Sequence, residues 1–129
     1  MPFATAGSVV MLDSVTVHGD DDIDYSKWVN VQPGFSFTVW VTLVSSSATP
    51  HVTFYLDISP LTETIAQTTV DLTKYVRVTL ASDVTTESTM IRYANTALDT
   101  PFCQCRLVAA GVTSNADDTV VKAWLTQFN

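Results

Sequence analysis

Between Phe35 and Leu43 apolar residues fall on every second position. Phe35, Phe37, Val39, Val41 and Leu43 alternate with Ser36, Thr38, Trp40 and Thr42. A period of two sends the two sets to opposite faces of an extended strand, so the first set predicts a core face. The pattern recurs with Val52, Phe54, Leu56 and Ile58 set against His51, Thr53, Tyr55 and Asp57. Towards the C-terminus, Cys103, Cys105, Leu107 and Ala109 alternate with Gln104, Arg106 and Val108, and Val121, Ala123 and Leu125 with Lys122, Trp124 and Thr126. Segments rich in Asp, Ser, Asn, Pro and Gly separate such runs. The strands predicted are Ser8–Val17, Tyr25–Gln32, Phe35–Val44, His51–Ser59, Gln67–Leu72, Tyr75–Leu80, Thr89–Ala94, Phe102–Ala109 and Thr119–Phe128. Amphipathic helical segments are missing, which points to an all-β, antiparallel, jelly-roll-like β-sandwich. With no internal repeat or linker, residues 1–129 read as a single domain.

Composition strengthens this picture. Twenty threonines and eighteen valines supply β-branched side chains suited to strands. Of thirteen acids eleven are aspartate, a turn and cap former, and only Glu63 and Glu87 are glutamate. A net charge of −7 with six scattered bases argues against nucleic-acid binding, which needs a stripe of Lys and Arg to displace counterions. No apolar stretch approaches the ~20 residues that span a bilayer, and the N-terminus lacks the basic and apolar regions of a secretory signal. Synthesis in a reducing cytoplasm is the simplest expectation.

Groups for chemistry are few. His18 and His51 have no Ser or Cys partner at a motif spacing, and no nucleophile elbow, P-loop or dinucleotide fingerprint occurs, so no enzymatic activity and no cofactor is expected. Cys103 and Cys105, two apart on a strand, share a face and read as free core thiols rather than a disulfide or a metal site. The cluster Asp20-Asp21-Asp22-Ile23-Asp24 offers carboxylates to calcium but lacks EF-hand spacing, and a solvated turn is the plainer reading. Asp117-Asp118 reads as a turn before the last strand. Arg77, Arg92 and Arg106 lie inside predicted strands, where an arginine pairs with a carboxylate within the sheet or across a subunit seam.

The alternation leaves Trp40, Tyr55 and Trp124 facing outward. Such aromatics are covered by a loop or arm, buried by a partner subunit, or used as a sugar platform, for which Trp28, Trp40 and Trp124 are available. The run Thr38–Val44 carries no charge, so that strand is either central in its sheet or has its edge covered by a neighbouring subunit.

The stretch Thr100-Pro101-Phe102-Cys103-Gln104-Cys105-Arg106-Leu107-Val108-Ala109-Ala110-Gly111, then Asn115-Ala116-Asp117-Asp118-Thr119-Val120-Val121-Lys122-Ala123-Trp124-Leu125, resembles small β-sandwich structural proteins of tailed bacteriophages. The Phe35–Val44 strand, followed by Val52–Ser59 and the Ser59-Pro60 exit, is similar to the same group. This resemblance implies a decoration or cement protein that binds the capsid surface of a virion as a homo-oligomer, its partners being the major capsid protein and copies of itself. Trp40, Tyr55, Trp124 and Arg106 are then the interface candidates. A tail or neck component and a glycan-binding module on the virion are the alternatives. The Asp20–Asp24 cluster and the cysteine pair have no counterpart in that group.

Overall fold

The computed structural model describes residues 7–19, 22–31, 36–45, 49–87, 90–94, 102–112 and 118–128. Among them there are nine strands and no helix. In chain order these are β1 (Gly7–Val17), β2 (Ile23–Tyr25), β3 (Val29–Asn30), β4 (Ser36–Ser45), β5 (Val52–Ser59), β6 (Val76–Val84), β7 (Ile91–Ala94), β8 (Gln104–Gly111) and β9 (Thr119–Phe128). One sheet has the order β1-β9-β4-β7 and the other β2-β8-β5-β6, with β3 also paired to β8. β2 and β3 therefore act as one interrupted strand along β8. Apart from that break and the β5–β6 hairpin, each connection carries the chain from one sheet to the other, the wrapping of a jelly roll.

The inward faces follow the alternation. Val39, Val41 and Leu43 of β4, Val121, Ala123 and Leu125 of β9, Phe54 and Leu56 of β5, and Cys105, Leu107 and Ala109 of β8 are buried in one core between the sheets. Phe35 lies outside the described residues, as do Asp20, Asp21 and residues 113–117, Asp117 among them. The uncharged run on β4 is central: β4 pairs with β9 along its whole length and with β7 from Thr38 to Val41. The exposed edge β1 is interrupted by irregularities after Val10 and after Leu12, with Ser14 at φ 55°. Such bulges twist an edge away from further pairing.

Gln67–Leu72, predicted as a strand, is instead part of a turn-rich strap. Thr69 N donates to Ala66 O at 3.2 Å and Lys74 N to Asp71 O at 3.0 Å. The Asp71 carboxylate accepts from both the backbone N (3.0 Å) and the hydroxyl (2.6 Å) of Thr73, and these bonds hold its pKa below the usual aspartate value. An Asx turn of this kind competes with a sheet ladder for the local backbone. The strap, residues 60–75, crosses the outer face of the second sheet and is pinned by the buried Ile65 and Tyr75. Gln104 Nε2 donates to Leu61 O and Glu63 O, both at 2.8 Å, and Ser59 Oγ donates to Lys74 O at 2.6 Å.

Candidate functional site

The two sheets present unlike outer faces. Under the strap, the second sheet buries a charged ladder. Asp57 on β5 stands directly opposite Arg77 on β6 and Arg106 on β8. Asp57 Oδ1 accepts from Arg77 Nε at 2.8 Å, and Oδ2 accepts from Arg77 Nη2 at 3.0 Å and from Arg106 Nε and Nη2 at 3.0 and 2.5 Å. The third nitrogen of Arg106, Nη1, donates to Gln67 O of the strap at 2.6 Å. Both Asp57 and Arg106 are 0% exposed. The rings of Tyr25, Trp28 and Tyr75 lie 4.4, 4.8 and 4.9 Å from the Arg106 guanidinium carbon, supplying π faces where water is excluded. Arg77 is half-exposed and lies over Tyr55 at 5.0 Å; its pKa is raised chiefly by the hydrogen bonds to Asp57.

This overturns part of the reading of the strand faces. Gln104, Arg106 and Val108 do point away from the core, yet all three are buried, Gln104 and Arg106 beneath the strap. Arg106 in particular is consumed within the subunit and presents nothing to a partner, so it is withdrawn as an interface residue. Pairing of strand arginines with a carboxylate holds for Arg77 and Arg106, which share Asp57.

Among the described residues no strap of this kind crosses the first sheet. Trp40 and Trp124 are direct cross-strand partners on β4 and β9, and the row continues to Val10 on β1 and Arg92 on β7. Both indoles are half-buried, Val10 is 50% exposed, and Val44 and Val120 are exposed on the same face. A shallow depression of about 280 Å³ is lined by Ser8, Trp40, Met90, Trp124 and Thr126. Trp40 Nε1 donates to Thr126 Oγ1 at 2.8 Å, and that hydroxyl donates to Thr38 O at 3.4 Å. The Trp40 N–H and the Thr126 hydroxyl are thus satisfied within the sheet, and the depression offers mainly carbon. Lys122 Nζ lies 5.6 Å from the Trp124 ring and 3.8 Å from Asp13 Oδ1. The structure brings Trp40 and Trp124 together and places Tyr55 on the opposite sheet.

At one end, where β1, β6 and β8 finish, both histidines meet aspartates. His18 Nδ1 lies 2.9 Å from Asp118 Oδ1, and His51 Nδ1 lies 2.7 Å from Asp83 Oδ1. The bond to Asp118 raises the His18 pKa above its ordinary value. Asp22 Oδ2 accepts from His18 N at 2.7 Å, while burial and the charge of Asp22 raise the pKa of Asp24. Among the described residues no three His, Cys, Asp or Glu side chains are grouped to hold a metal ion. Cys103 and Cys105 are free thiols; burial pushes the Cys105 pKa up to about 12.

The wrapping of two four-position sheets around one core makes this chain a jelly-roll β-sandwich, the class that includes viral capsid and lectin domains. No protein-family model and no curated protein matches it. Solved structures do. The VP2 subviral particle of infectious bursal disease virus superposes with a TM-score of 0.63 at 9% identity, over 97% of this chain and 32% of that chain. T=1 particles derived from the same virus give 0.63 at 8% identity, covering 97% and 31%, and its Gx strain 0.58 at 9%, covering 98% and 32%. The chain spans about a third of the length of those chains. At such identity the likeness establishes the shared fold.

Proposed function

We propose that this chain is a structural protein of a virus particle, and specifically a decoration or cement subunit that binds a capsid surface and assembles there in many copies. The observation that carries the reading is the match of nearly the whole chain to a segment of a capsid protein, over 97% of its length. The layout agrees: the strap crosses the outer face of one sheet, while on the other, among the described residues, two tryptophans are half-buried and Val10, Val44 and Val120 are exposed. Exposed apolar area of that kind is characteristic of a protein whose work is to be bound. Attribution to a tailed phage comes from the sequence resemblance alone, since the matched structures come from infectious bursal disease virus. A glycan platform on Trp40 and Trp124 is less well supported, because the Trp40 N–H and the Thr126 hydroxyl beside it are already bonded to each other.

The test is co-sedimentation of the purified chain with heads of its own virus that lack it. Saturable binding at a fixed ratio to the major capsid protein supports the proposal. Absence of binding, with sugar-selective retention on a glycan array instead, overturns it in favour of the adhesion module.

A further inference from the structure

We infer that the cavity between the strap and β3 is a carbohydrate site that takes one neutral sugar unit of a glycan, separate from the tryptophan face and additional to the virion role. Register sets its floor. Asn30 of β3 stands directly opposite Gln104 of β8, and residues so paired share a face of the sheet, here the outer one beneath the strap. Trp28 and the buried Ile65 of the strap add apolar wall, and the exposed Thr62, Glu63 and Thr64 form the rim. The space is about 300 Å³, at the small end of ligand cavities.

The walls are fixed before any ligand arrives. Gln104, 4% exposed, uses its amide hydrogens on Leu61 O and Glu63 O, so the capacity left to it is that of the Oε1 acceptor. Trp28 Nε1 donates to Ala66 O at 3.2 Å and Gln67 Nε2 donates to Tyr25 O at 2.9 Å, which tie the strap to the β2–β3 side. Groups already held in place lose little freedom when a ligand binds.

The lining selects the class of ligand. The carboxamides of Asn30, Gln67 and Gln104 and the hydroxyls of Thr62 and Thr64 supply both donors and acceptors, matching sugar hydroxyls that act as both. The indole gives the C–H face of a pyranose a surface to pack on. A purely apolar ligand would leave the polar groups unpaired. An anion would meet one base, Lys27, beside the carboxylate of Glu63, on a chain of net charge −7. Lys27 and Gln67 also line a second depression of about 360 Å³ that reaches Met11 and Tyr25, so the glycan has room to continue past its first unit.

The test screens the full chain on an array of neutral, sialylated and sulfated glycans, then titrates the strongest neutral glycan by saturation-transfer NMR. The titration compares wild type with Asn30→Ala/Thr64→Ala in the cavity and Met90→Glu in the tryptophan depression, all at exposed positions. Circular dichroism checks the fold, and Thr62→Trp, which blocks the rim, stands in if the double variant does not fold. The expected result is a neutral glycan bound at least about 10-fold more weakly by the cavity variant, as for two lost hydrogen bonds, and unchanged by Met90→Glu. Binding lost in Met90→Glu and kept in the cavity variant overturns the inference in favour of the tryptophan face. Retention of anionic glycans alone, or of none, overturns it as well. Head binding keeps the two readings apart. A chain that binds heads and no glycan overturns only the carbohydrate site, and one that binds glycan through the cavity but never heads overturns only the virion role.

Discussion

Replacing Asp57 by asparagine keeps the shape of the side chain and removes the one countercharge between two guanidinium groups. Arg106 cannot turn to water, being 0% exposed and enclosed by Tyr25, Trp28, Tyr75 and the strap. Arg77, half-exposed, can. The cost is therefore that of one stranded buried cation, about 3–5 kcal/mol, with the three π faces drawing it towards the lower figure. For 129 residues the unfolding entropy is about 0.27 kcal/mol/K, so the melting temperature should fall by roughly 11–18 °C. Differential scanning calorimetry of Asp57→Asn, Arg77→Met and the paired replacement Asp57→Leu/Arg106→Met measures it. Arg77→Met should cost only about 1 kcal/mol, since the buried pair survives. The paired replacement should recover most of the loss, because removing both charges removes the desolvation penalty as well. An Asp57→Asn protein within about 1 kcal/mol of wild type, or a paired variant no better than Asp57→Asn, would refute the view that Asp57 works by neutralising Arg106.

The remaining predictions address other parts of the molecule. His18 has a raised pKa through Asp118, so its contribution to stability is complete below about 6.5 and is lost as pH rises through the folded-state value. Wild type minus His18→Gln melting temperatures should accordingly shrink from pH 5.5 to pH 8 and shrink less in high salt; a difference that grows with pH contradicts the assignment. Asp24 adds a trend of the same sign at lower pH, its raised pKa making stability fall as pH climbs from about 3.8. Under native conditions an aromatic disulfide reagent should label the half-buried Cys103 and leave Cys105 untouched until unfolding, so Cys103→Ser abolishes native labelling and Cys105→Ser does not. A β-carbon on Gly111 would collide with the carbonyl oxygen of Gly19, itself at φ 92°, so Gly111→Ala should cost about 1–3 kcal/mol by thermal denaturation.

Strand identity was legible because each inward residue repeats every second position, and β4, β5, β8 and β9 occupy the segments that alternation assigns. What alternation cannot show is what lies over the outer face. Trp124 and Arg106 look alike in the sequence, each an outward residue among apolar neighbours. One faces open depression and the other is sealed beneath the strap, because residues 60–75 fold back over one sheet only. Within the strap, β-branched Thr68, Thr69 and Val70 favour the strand predicted over Gln67–Leu72. The strap's own local signal was Asp71 two residues before Thr73, an Asx-turn pair that outweighs β-propensity. The buried ladder was half visible: three arginines inside strands call for carboxylates, while alternation places Asp57 on the outward face of its strand without naming a partner for it. That Arg77 and Arg106 share it depends on β5 lying between β6 and β8, a fact of topology rather than of spacing.

The account proposes that this jelly roll works by being built into a virus particle through the sheet face that carries Trp40 and Trp124. Quantitative mass spectrometry of gradient-purified virions tests that most directly. The account predicts the chain in many copies, at a constant ratio to the major capsid protein from one preparation to the next. Particles that are intact, infectious and free of the chain would contradict it.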